Sequence, residues 1–179
     1  MKAIALTHYL PSDHPHCFIE SDLPDPTPGP RDLLVRVNAT SINPVDTKVR
    51  APKDKVESSP RVLGWDAVGE VIAVGSDVTL FKAGDRVWYA GDISRSGSNA
   101  ELQLVDERIV GFAPDSLTDA EAAALPLTAI TAWEMLFDRL QIQRGKQHSG
   151  QSVLIIGAAG GVGSILVQLA RKLTAATVI

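Results

Sequence analysis

The stretch "SVLIIGAAGGVGSILVQLARKLTAATVI" (152–179) decides how the chain is read. "SVLIIG" (152–157) is a continuous apolar run, as expected of a parallel strand buried on both faces. "AAGGVG" (158–163) then fills the G-x-G-x-x-G positions, with Ala158 in place of the first glycine and Gly160 and Gly163 in the other two. "SILVQLARKL" (164–173) has the pattern of an amphipathic helix, and "ATVI" (176–179) starts a second strand. Strand, glycine turn, helix and strand in this order open a dinucleotide-binding α/β domain. Gly160 would let the backbone approach a pyrophosphate, and Gly163 would let the helix pack against the strand. Ala158, Ala159, Gly160, Gly161, Val162 and Gly163 would then form the cofactor cradle, with the helix N-terminus directed at the phosphates. The same residues would also make a tight strand–helix turn that holds nothing. The position that separates NAD from NADP lies about 20 residues beyond the glycines, at or past Ile179, so the stretch does not choose between them.

Upstream the texture is that of β-structure. "KAIALTHY" (2–9) is strand-like, and "ESDLPDPTPGPRD" (20–32) is dense in proline and turn residues. "DLLVRVNATSIN" (32–43) alternates Leu33, Val35 and Val37 with Leu34, Arg36 and Asn38, the period of a half-buried strand. "NPVDTKVRA" (43–51) starts a helix, with Asn43 as N-cap, Pro44 at the first helical position and Asp46 in the first turn. "APKDKVESSP" (51–60) is polar and lysine-rich and is expected to be an exposed loop. Short strands are expected at 66–78, 85–91, 99–107 and 108–114, at barrel-like spacing. After Pro114 the chain turns helical. "SLTDAEAAALPLTAITAWEMLFDRL" (116–140) predicts a short helix, a break at Pro126 and a second helix through Leu140, followed by a polar loop over 141–151. The fold class is therefore α/β. A catalytic β-domain with the start of a connector is expected over 1–127. A connector helix and the first β-α-β unit of a nucleotide-binding domain are expected over 128–179.

Composition excludes several classes of function. With 45% hydrophobic and 21% charged residues and a net charge of −4, the chain has no electrostatic footprint for nucleic acid or an anionic membrane. No run reaches the roughly 18 apolar residues of a membrane span, and "MKAIALTHYL" is not a signal peptide. Cys17 is the single cysteine, which leaves no disulfide and no thiolate cage, so a reducing cytoplasm is the default expectation. "HPHC" (14–17) is the one metal-like cluster, and it lacks a partner group at structural-site spacing.

A β-domain placed before a nucleotide fold, "NPVD" at 43–46, "GWDAVGEV" at 64–71, "FKAGDRV" at 81–87 and "AAGGVG" at 158–163 together resemble the medium-chain dehydrogenase/reductase superfamily. The likeness is to its quinone-oxidoreductase-like and zinc-type alcohol dehydrogenase-like branch. The resemblance implies a GroES-like, partly open β-barrel joined to a Rossmann domain. It also implies hydride transfer from NADPH to a quinone or an α,β-unsaturated carbonyl, with NADP favoured over NAD by the resemblance alone. A small carbonyl or quinone substrate and a homodimer or homo-oligomer are expected. Zinc-dependent members carry a catalytic cysteine, a Gly-His-Glu segment and a four-cysteine lobe. Here Asn43 stands at the cysteine position, Trp65 and Asp66 replace His-Glu, and the lobe is missing. An amide and an indole are not zinc ligands, so no metal is expected.

By the same resemblance Asn43 would line the nicotinamide-ribose or substrate side, and Thr128 would contact the nicotinamide end. Lys48, where related reductases often have tyrosine, would be a cationic donor. Trp65 would wall the substrate site. Each has a plainer reading: a helix cap, a connector hydroxyl, a solvated lysine and a core tryptophan. Two rival functions remain, a zinc-type alcohol dehydrogenase acting on alcohols or aldehydes and a non-catalytic nucleotide-binding protein. A lone strand–helix–strand would leave "VLII" (153–156) open on at least one face and "ATVI" with an unpaired edge. The 179 residues are therefore expected to be the N-terminal part of a chain about twice as long, inactive and poorly soluble or self-associated alone.

Overall fold

A computed structural model describes residues 1–145 and 151–179. The chain divides into two compact units, Met1–Pro126 and Leu127–Ile179.

The first unit is built on two open antiparallel sheets. One has the order β2-β1-β4, from β1 (Lys2–Tyr9), β2 (Ile19–Asp22) and β4 (Lys53–Val62). The other has the order β7-β3-β5-β6-β8, from β3 (Asp32–Ser41), β5 (Asp66–Val74), β6 (Arg86–Ala90), β7 (Leu102–Asp106) and β8 (Val110–Phe112). Leu33, Val35, Ala67, Val71, Val87, Tyr89 and Val105 project from the larger sheet into one buried cluster. Each such side chain contributes about 1.5–3 kcal/mol on leaving water. The sheets are stitched by the segment before β7: Ile4 N–H donates to Asn99 O (2.8 Å), Glu101 N–H to Lys2 O (3.0 Å) and Val37 N–H to Glu101 O (2.9 Å). This is the partly open GroES-like arrangement expected from sequence.

Residues 51–60 are not a loop but supply most of β4. The strand pairs only with β1 and forms an edge, so its outer face is solvated and the hydrophobic alternation that marks a strand is absent. Its polar side chains nevertheless have partners on β1. Lys53 Nζ sits 4.1 Å from the Tyr9 ring centroid, and the Tyr9 hydroxyl donates to Glu57 and accepts from Arg61 Nη1 (2.8 Å). Residues 107–109 form a 3-10 turn before β8, capped by the Asp106 carboxylate on Arg108 N–H (2.9 Å). Arg86 then anchors the helical connector. Its guanidinium donates to Asp119 (2.8 Å), Pro114 O (2.8 Å) and Leu117 O (3.0 Å), just ahead of α2 (Asp119–Ala123).

In the second unit the connector helix α3 (Pro126–Glu134) runs on into a π-helical turn, Met135–Arg139. The remainder is β9 (Ser152–Val153), α4 (Gly161–Leu173) and β10 (Thr177–Val178). The two strands are parallel, pairing Thr177 with Ser152 and Val178 with Val153, and Ile155 N–H extends the ladder to Ile179 O (2.9 Å). Ala132 and Leu136 pack against Leu166 and Ala170, with Ile155 and Val178 at the margin. Strand burial on both faces is not found. Ile155 packs against α4, while Leu154 and Ile156 are 67% and 89% exposed. The part of the expected polar loop at 146–150 lies outside the described residues. Among the described residues no helix is long and apolar enough to cross a membrane.

Glu107 is 1% exposed, and its carboxylate accepts Thr79 N–H and Leu80 N–H (2.9 Å each) and Arg31 Nη1 (3.0 Å). The backbone donors, led by Leu80, hold its pKa below the ordinary 4.5. A depressed folded-state value contributes stability above the unfolded pKa that is lost as pH falls through the folded one. Thermal melts from pH 7 to pH 3 should therefore show Glu107→Gln melting lower at neutral pH, with the gap closing in acid.

Candidate active-site residues and glycine turn

β3 ends at Ser41, and Asn43 stands at the N-cap of α1 (Pro44–Arg50) with extended backbone (φ −119°, ψ 163°). Pro44 supplies the pre-set φ of a first helical turn. Asn43 and Asp46 form a capping box, in which Asn43 N–H donates to Asp46 Oδ2 (2.7 Å). Burial raises the Asp46 pKa against the opposing effect of that N–H, which fits a capping carboxylate. The Asn43 side chain has a second bond that the cap reading does not foresee. Its Nδ2 donates to Asp66 Oδ2 at 2.8 Å, and Ser41 Oγ donates to the same oxygen at 3.2 Å. Asp66 is fully buried and Asn43 keeps 6% exposure.

Strand register brings these groups together, since Ser41 lies directly opposite Asp66 in the β3–β5 ladder. Trp65, one residue earlier, is buried with Leu6, Tyr9 and Leu63 and packs against Val45 and Val49 of α1. Its indole N–H has no hydrogen-bond partner, an omission that costs about 1–3 kcal/mol when such a donor is buried. The structure thus gathers Asn43, Asp66 and Trp65 around α1. It leaves Lys48 exposed in the last helical turn, where a cation complements the helix dipole. A groove of about 960 Å³ opens nearby between Ile4, Phe18, Val37, Thr40, Ile42 and Asn99, but Asn43, Lys48 and Trp65 are not among its walls. His14 and His16 make a local contact, His16 N–H donating to His14 Nδ1 (3.1 Å). Among the described residues no three His, Cys, Asp or Glu side chains gather where they could hold a metal ion.

In the second unit α4 starts at Gly161 with Gly160 as N-cap, three residues before the helix expected from sequence, so the glycines themselves form its first turn. A β-carbon on Gly163 would lie 2.3 Å from Gly157 O and 2.8 Å from Ala158 Cα. Gly163 therefore lets the helix close on the turn rather than on the strand. At Gly160 the only contact of such an atom is Gly157 O at 3.3 Å, so its outer side is open. Gly157 has φ +75°, a left-handed turn residue that the G-x-G-x-x-G template does not single out. Its signal was its place at the end of the apolar run. Thr128 belongs with this turn, its Cγ2 lying 3.1 Å from a β-carbon built on Gly161. Ala158, Ala159, Gly160 and Gly161 are exposed, and α4 has no acid in its first turn, so its N-terminus suits phosphate.

Residues 29–125 match the Alcohol dehydrogenase GroES-like domain family. The chain belongs to this family, within the medium-chain dehydrogenase/reductase superfamily. It is 49% identical over 173 residues to a zinc-type alcohol dehydrogenase-like protein of Staphylococcus aureus, covering 96% of this chain and 51% of the relative. It is 39% identical to a 2-methylene-furan-3-one reductase of Solanum lycopersicum over 187 residues, 99% of this chain and 46% of that protein. A solved structure from Rhizobium etli CFN 42, described as a zinc-dependent alcohol dehydrogenase, superimposes with a TM-score of 0.91 at 52% identity, covering 99% of this chain and 52% of the other. The chain spans about half the length of the relatives it matches.

Asn43→Asp is harmless by cap preference alone, but here it sets a second carboxylate against buried Asp66. Chemical denaturation at pH 7 should show a loss of about 2–4 kcal/mol, relieved as pH falls and one of the pair takes up a proton.

Proposed function

We propose that the full-length protein is an NADPH-dependent, zinc-independent oxidoreductase that delivers hydride to a quinone or an α,β-unsaturated carbonyl. The observation that carries this reading is the chemistry at the two positions where zinc-dependent relatives place a thiolate and an imidazole. Zinc needs lone-pair donors. Asn43 turns an N–H to Asp66, and the Trp65 ring nitrogen carries a proton and no available lone pair. Both residues offer hydrogen-bond donors where a metal site needs acceptors, so no step is routed through zinc.

The residues present do fit a nicotinamide dinucleotide. The open outer side of Gly160, the N-terminal turn of α4 behind the exposed residues 158–161 and the adjacent Thr128 would form a cradle for its pyrophosphate and neighbouring groups. When bound, the cofactor supplies the hydride. In this reading Asn43 orients the acceptor and favours the oxygen on which negative charge develops, with Trp65 supporting α1 from the core. The reductase name of the tomato relative, whose substrate is a ketone conjugated to a methylene group, is in keeping with an enone acceptor. The zinc-type name of the bacterial relative favours the alcohol dehydrogenase reading, against which the donor chemistry stands.

Elemental analysis of the purified full-length protein should find no stoichiometric zinc, and NADPH should be oxidised in the presence of menadione or a simple enone. One tightly held zinc per chain would establish the alcohol dehydrogenase reading, and binding without turnover would establish the non-catalytic one. Gly160→Val should weaken NADPH binding by about tenfold or more, equivalent to about 1.4 kcal/mol, with the melting temperature little changed. Gly163→Ala should instead lower stability, because its β-carbon meets backbone.

A further inference from the structure

The Asn43–Asp66 contact has a direction. An ionised carboxylate only accepts hydrogen bonds, whereas the two ends of an asparagine amide have the same shape and opposite polarity. Packing alone does not distinguish Nδ2 from Oδ1, but an acceptor beneath the amide does. Asp66 Oδ2 receives Asn43 Nδ2 at 2.8 Å and Ser41 Oγ at 3.2 Å. Its position is held from both sides of the chain. Ser41 lies opposite it in the β3–β5 ladder, and the Asp66 backbone carbonyl accepts the buried Ser98 hydroxyl at 3.3 Å. Asp66 itself is sealed from solvent, while Asn43 is the outer member of the pair.

We infer that Asp66 is a positioning residue for Asn43. It fixes the amide with one N–H directed inward and leaves the second N–H to donate to a carbonyl oxygen of a bound ligand. This rests on the reading of Asn43 as a ligand contact. The oxygen belongs either to the acceptor substrate or to the nicotinamide carboxamide, and the two sources give different readouts. Nothing else in the capping box requires an acid at position 66, because an N-cap asparagine is served by the helix it caps.

The test is a double-mutant cycle in the full-length protein, with NADPH and menadione as probes. Asn43→Ala and Asp66→Leu should each lower kcat/KM by about tenfold or more, and the double variant should fall no further than about twofold below either single one. Asp66→Asn, which keeps an acceptor oxygen in place, should return to within about threefold of wild type. A purely structural role would lower melting temperature without this coupling or rescue. Loss confined to menadione kinetics assigns the oxygen to the substrate; weakened NADPH binding assigns it to the carboxamide. The inference fails if folded Asp66→Leu keeps wild-type kcat/KM, if the two effects multiply, or if Asp66→Asn is no better than Asp66→Leu. Should Asp66→Leu not fold, Asp66→Ser enters the same cycle. Wild-type kinetics in Asn43→Ala would remove the site reading and this inference with it, whereas an impaired Asn43→Ala beside an uncoupled Asp66 removes this inference alone.

Discussion

The pairing of β3 with β5 is the constraint on which the rest of the first unit depends. It joins the ends of two long strands so that Val37 faces Gly69 and Ser41 faces Asp66, with irregularities between Leu34 and Val35 and between Val37 and Ala39. Because side chains alternate with period two, a slip of β5 by one residue would carry Ala67 and Val71 away from Val35 and turn Asp66 toward the opposite face. The hydrophobic cluster therefore sets the register, and the register sets the polar pair. Taking a carboxylate out of water costs several kcal/mol. The bonds from Asn43 and Ser41, each about 1.5–3 kcal/mol to a charged group, offset a large part of it. The chain accordingly holds the acid only where both donors reach it.

What the sequence made legible follows the strength of local signals. β1, β3 and β5 were readable because their buried side chains leave alternating or continuous apolar runs. α1 was readable from Asn43 and Pro44 at its start, and α2 from the Ser/Thr/Asp run ahead of it and the break at Pro126, while its Thr118–Glu121 capping box came from the structure. β4 was not, since an edge strand held by charged and aromatic contacts to β1 carries no hydrophobic period. The glycines could be picked out as site candidates by residue type and spacing, and Asn43 and Trp65 by the family resemblance. The partnership of Asn43 with Asp66 could not, because it depends on long-range register. Its only trace in sequence was an acid at the head of the strand in "WDAVGEV".

The glycine turn teaches a different lesson. A template of spaced glycines predicts a helix that starts after them, whereas here the last of them already lies inside the helix. Gly157 makes the left-handed step, Gly160 caps, and Gly163 accepts the turn's backbone against its own α-carbon. Each glycine answers a separate steric demand, so substitutions there should not be treated as equivalent. The apolar strand ahead of them shows what the second unit contains and what it leaves uncovered. α4 shields Ile155, and Leu154 and Ile156 face outward. In a doubly wound sheet such side chains are covered by helices on the second face, and the relatives this chain matches are about twice its length.

The same family scaffold can thus be read as two chemistries from the polarity of two side chains. A thiolate and an imidazole present lone pairs and gather a cation, which then withdraws charge from a substrate oxygen. An amide presents protons and can meet that oxygen directly. The metal-binding version requires an acid nearby only to tune ligands, but the donor version requires one to decide which end of the amide faces the ligand. Asp66 meets that requirement from beneath Asn43, fully buried and bonded to the amide nitrogen. On the proposed reading, the replacement of Cys and His by Asn and Trp is not a simple loss of a site: the Asn43–Asp66 pair would let hydrogen-bond direction take the place of metal coordination.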